Sequence, residues 1–92
     1  MSIHEKTLKQ LVRNQVHEVA NIVMDMNLIQ GRHVEMRIFP GGVSVTEERD
    51  GCEPRFASAS LPPLAMPETA LNNVESLLAR LRGHWRWQGG AQ

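Results

Sequence analysis

At Gly31 the spacing of the apolar residues changes from three and four to two, and this change of period governs what the chain can fold into. Before it, Leu8, Leu11, Val12, Val16, Val19, Ile22, Val23 and Met26 form one broad apolar stripe on a helix of about 3.6 residues per turn. Ser2-Ile3-His4-Glu5 has the form of a capping box, so the helix is expected to begin at Ile3, and Gly31 is a natural residue to end it. After it, Val34, Met36 and Ile38 alternate with His33, Glu35 and Arg37, the pattern of a half-buried strand. Pro40-Gly41-Gly42 supplies turn residues and Val43-Ser44-Val45-Thr46 alternates again, which reads as a hairpin. Asp50-Gly51 makes a second turn within the polar segment Glu47 to Pro54. A third strand is expected from Arg55 to Leu61, with its inward face left open by Phe56 and the small residues after it. Pro62 and Pro63 end it, and Pro67 suits the first turn of a second helix, where a missing N–H costs nothing. Leu71, Val74, Leu77, Leu78, Leu81 and Trp85 then resume helical spacing.

The order helix, three strands, helix, with short connections, predicts an α+β fold, α-β-β-β-α: a three-stranded antiparallel meander with two helices packed on one face. A chain of 92 residues holds one core, expected over residues 1–87, with residues 88–92 as a flexible tail. A domain this small buries only about 60 to 65% of the surface its unfolded chain exposes, so a partner or a second copy would add useful stability.

Ten Lys+Arg against ten Asp+Glu argue against a general polyanion binder and against an acidic mimic of DNA; electrostatic recognition must be local. The single cysteine, Cys52, makes no intrachain disulfide, and no leader pattern opens the sequence, so a cytoplasmic protein is expected. No apolar run reaches the roughly 18 residues of a membrane span, so no membrane partner is expected. His4, His17, His33, His84 and Cys52 lack the spacing that places ligands on one turn, and His33 with Glu35 is better explained as two solvated strand residues. Ser44, Ser58 and Ser60 lie in strands and not at a strand-to-helix elbow, Cys52 beside Glu53 lacks a cationic neighbourhood, and Gly41-Gly42 precede a strand where a phosphate cradle would precede a helix. The expectation is therefore a protein that is not an enzyme, with no catalytic residue, metal or cofactor.

Binding remains. Leu78 to Gly90, LARLRGHWRWQGG, holds three arginines, a histidine and two tryptophans with no acid among them. Helical register assigns Leu78, Leu81 and Trp85 to the core, and Gly83 marks a place where the helix loosens. Arg80, Arg82, Arg86 and Trp87 are left as a short basic edge, of the composition enriched in interface hot spots. A second candidate surface is the polar face and rim of the sheet: Arg32, His33, Glu35, Arg37, Glu47, Glu48, Arg49, Asp50 and Arg55. Arg32 and Arg37 join the basic edge as candidate partner-binding residues.

This element order resembles that of double-stranded RNA-binding domains, which carry a lysine-rich motif at the start of the last helix. Here that position reads Ala65-Met66-Pro67-Glu68-Thr69-Ala70, one acid and no base, which removes the main reason to expect that family's RNA binding. The chain also resembles, at the level of class, small phage-encoded anti-CRISPR proteins that inhibit type I surveillance complexes: compact, with one unpaired cysteine and arginine clusters on a neutral body. That resemblance implies a steric inhibitor that contacts Cas proteins, and guide RNA through its arginines, in the host bacterial cytoplasm. The alternatives are a small nucleic-acid-binding domain and a self-associating structural subunit, a homo-oligomer.

Overall fold

The structure, a computed structural model, describes residues 3–84; the expectations placed on Ser2, Trp85, Arg86, Trp87 and the tail 88–92 lie outside the described residues. Two helices flank three strands: α1 (Ile3–Leu28), β1 (Val34–Phe39), β2 (Gly42–Glu47), β3 (Arg55–Ser60) and α2 (Pro67–Ala79), which runs on into a π-helical turn, Arg80–His84. The sheet is an antiparallel meander in the order β1-β2-β3, and both helices pack on it, as the change of period predicts.

Alternation decides which side chains meet the helices. In β2, Val43 and Val45 face the core, paired across the sheet with Ile38 and Ala59, and with Met36 and Ala57. They pack into one cluster with Val12, Val16, Val19, Val23 and Met26 of α1 and with Ala70, Val74, Leu77 and Leu78 of α2. In β3 the inward residues are Ala57 and Ala59, so the face that the sequence left open is lined by methyl groups, small enough to let α2 settle close to the strand. Phe56 consequently points to the other face of the sheet, which neither α1 nor α2 covers.

The connections follow local chemistry. Gly31, at φ 68°, turns the chain so that the Arg32 N–H reaches the Met26 carbonyl at 2.9 Å. The Asn27 side chain then clamps the first residue of β1: its amide donates to the Val34 carbonyl and its carbonyl oxygen accepts from the Val34 N–H, both at 2.8 Å. The helix is therefore held at its last turn. Pro40 and Gly41 form a two-residue hairpin loop with Gly41 at φ 84°, while Gly42 already pairs with Phe39 inside the ladder. Asp50-Gly51 makes its turn with the Cys52 N–H bonded to the Arg49 carbonyl.

α1 is longer than the sheet can cover. Its 26 residues span about 39 Å, against about 20 Å for a six-residue strand, within an envelope of 48 × 22 × 21 Å. Its buried side chains begin at Val12. Leu8 is half-buried and Leu11 exposed, so the apolar stripe read from the sequence outruns the core by more than a turn.

Candidate protein-docking surface

Of the six expected partner-binding residues, four are described, and they do not share a surface. Arg37 lies on the open face of β1, opposite to the helices, and is exposed. Arg80 borders a shallow polar recess of about 290 Å³ with Ser58, Ser60, Asn73 and Ser76 at the edge of β3. Arg82, two residues on, turns toward α1 and pairs with Glu18 at 3.2 Å, both side chains partly in water. Arg32 is engaged inside the fold: its Nε and Nη2 donate to the two Glu47 carboxylate oxygens at 2.9 and 2.7 Å, and its Nη1 donates to Gln30 at 3.0 Å.

That pair corrects the assignment of Glu47 to the polar face of the sheet. Glu47 continues the inward series Val43, Val45, Glu47 and is only 1% exposed. A buried carboxylate demands a cation with two donors in its plane, and the guanidinium fork supplies them. The hydrogen bonds that Arg32 donates to Glu47, opposed by partial burial and aided by the carboxylate's charge, hold the Arg32 guanidinium above its ordinary pKa. Arg32 and Glu47 thus fasten the α1–β1 connection to the far end of β2.

A different surface is assembled by the fold. Along the inner face of β1, exposure climbs from Val34 at 4%, through half-buried Met36, to Ile38 at 64%. α1 and the sheet therefore part company toward the end of β1, and the gap is a groove of about 580 Å³. Val12, Val16, Ile38, Leu61, Pro62 and Pro63 make its apolar part, and Lys9, Arg13 and His17 its remaining lining. Those three bases stand four residues apart on α1, hence on one side of the helix in steps of about 6 Å. No acid lines the groove, and none of the three forms an ion pair among the described residues.

The chain places the third wall through its turns. The Leu61 N–H bonds to the Gly41 carbonyl at 2.9 Å and the Ala65 N–H to the Leu61 carbonyl, which carries the Leu61–Pro63 segment across the top of the sheet toward Ile38. Leu64 lies against Gly41, where a methyl group would stand 2.6 Å from it. Sequence reasoning missed this site because its walls come from α1, β1 and a loop well separated in the chain. The one legible signal was the four-residue spacing of Lys9, Arg13 and His17.

Among the described residues no three His, Cys, Asp or Glu side chains gather as a metal site, Cys52 is exposed, and no helix is long and apolar enough to cross a membrane. Comparison of the chain with protein-family models, curated proteins and solved structures gives no significant match.

Proposed function

We propose that this chain is a binding protein without catalytic activity, which acts by docking on a larger protein or ribonucleoprotein assembly. The observation that carries the reading is the groove beside α1: an uncovered part of the core face, apolar over most of its lining and edged by three basic side chains, Lys9, Arg13 and His17, that form no ion pair among the described residues. The lining supplies contacts suited to protein and no constellation suited to turnover. In its concrete form the protein is a phage-encoded anti-CRISPR inhibitor that holds Cas subunits of a type I surveillance complex and so keeps target DNA from pairing with the guide. Arg80, Arg82 and Arg86 then contact neighbouring subunits or guide RNA.

The test mixes the purified chain with a reconstituted type I surveillance complex. Expected are co-elution on size exclusion and loss of target-DNA binding, with weak or no binding to naked duplex RNA. Tight binding to naked RNA that falls steeply with salt would instead make it a nucleic-acid domain. Mass that rises with concentration in sedimentation would make it a self-associating subunit.

A further inference from the structure

We infer that the groove between α1 and the Leu61–Pro63 segment receives an acidic amphipathic helix of a partner protein. The inference rests on the docking function just proposed and names the chemistry of the partner. Lys9, Arg13 and His17 make a row about 12 Å long parallel to the axis of α1, and the apolar lining runs beside it. A second helix laid alongside repeats in the same steps, so acids four residues apart on it face the three bases in register. Its apolar stripe then covers Ile38, Leu61, Pro62 and Pro63, the apolar lining that stays at least partly exposed beside the buried Val12 and Val16.

Other occupants match the site less well. A fatty acid brings one carboxylate to a row of three basic side chains. Single-stranded nucleic acid has the charge, but among the described residues no phenyl or indole ring lines the groove to stack its bases, and the apolar lining would remain uncovered. A second copy packed groove to groove by a two-fold axis would set Lys9, Arg13 and His17 against the same three basic side chains, with no acid to meet them. The acidic helix alone neutralises the row and buries the floor together.

The test is fluorescence anisotropy with the full chain and four labelled probes: a stapled amphipathic peptide with glutamate at every fourth position, the same peptide with lysine there, oleate, and an oligouridylate. Saturable binding of the glutamate peptide is expected, reduced about tenfold or more in a K9E/R13E variant, which should gain affinity for the lysine peptide. Ile38→Asp should weaken both peptides. Circular dichroism checks that the variants are folded, and all three altered side chains are at least partly exposed. Absent binding of the glutamate peptide, indifference to K9E/R13E, or preference for oleate or the oligonucleotide would overturn the inference. The same variants, added to the surveillance complex, separate the two readings. If they still inhibit it, the groove assignment fails and the docking function stands; if the peptide binds as expected and the complex is ignored, the reverse holds.

Discussion

Glu47 lies under the sheet among valines, and its neighbours in sequence, Thr46 and Glu48, give no hint of that. Its position was nonetheless contained in the alternation, since a strand in which Val43 and Val45 point inward sends the next odd residue inward too. What the alternation omits is the counter-ion, because Arg32 precedes it by 15 residues and reaches it only once β1 and β2 have paired. Removing the arginine should be costly. Arg32→Ala leaves a buried carboxylate with its principal cation gone and is expected to destabilise the fold by about 3 kcal/mol in urea denaturation. Arg32→Lys, which restores charge but not the two-point contact, should recover part of that loss.

At the level of elements, the ends of the helices show how one residue type serves opposite purposes. Gly31 and Gly83 both have open space where a methyl group would stand, so sterics with neighbours would rank them alike. Backbone conformation separates them. Gly31 sits at φ 68°, where an L-residue is strained, and Gly31→Ala should cost about 1 kcal/mol. Gly83 lies in the π-helical turn after α2 without a positive φ, so Gly83→Ala should stabilise by about 0.5 to 1 kcal/mol, read as the opposite shift in thermal midpoint. The widening of α2 at Arg80–His84 falls where Gly83 marked a loosening, but that it takes the π form follows from no residue in the sequence. At the start of α2, Met66 gives no side-chain cap, and Pro67 with Glu68 behind it sets the first turn instead.

Across the whole molecule, the helix layer decides the meaning of each inward side chain. Ile38 and Val45 share one face of one sheet, yet Val45 is fully buried and Ile38 is 64% exposed. Val45→Asp places a charge in the core without a partner and should leave the chain largely unfolded at 25 °C. Ile38→Asp should stay within about 0.5 kcal/mol of the parent, as expected of an exposed position. Urea titrations of the two variants read the contrast directly. The sequence by itself determined the element order, the meander and the turns, because period, proline and glycine act over a few residues. It also determined most of the core, from Val12 to Leu81, since a 3.6-residue stripe and a two-residue alternation each name their own inner face. Only the tertiary structure decided that Leu8 and Leu11 outrun the sheet, that Arg32 belongs to Glu47, and that Arg37 faces away from Arg80 and Arg82. It alone opened the groove, because the divergence of α1 from β1 depends on how a helix of about 39 Å crosses strands half its length, a relation between elements that no local pattern encodes.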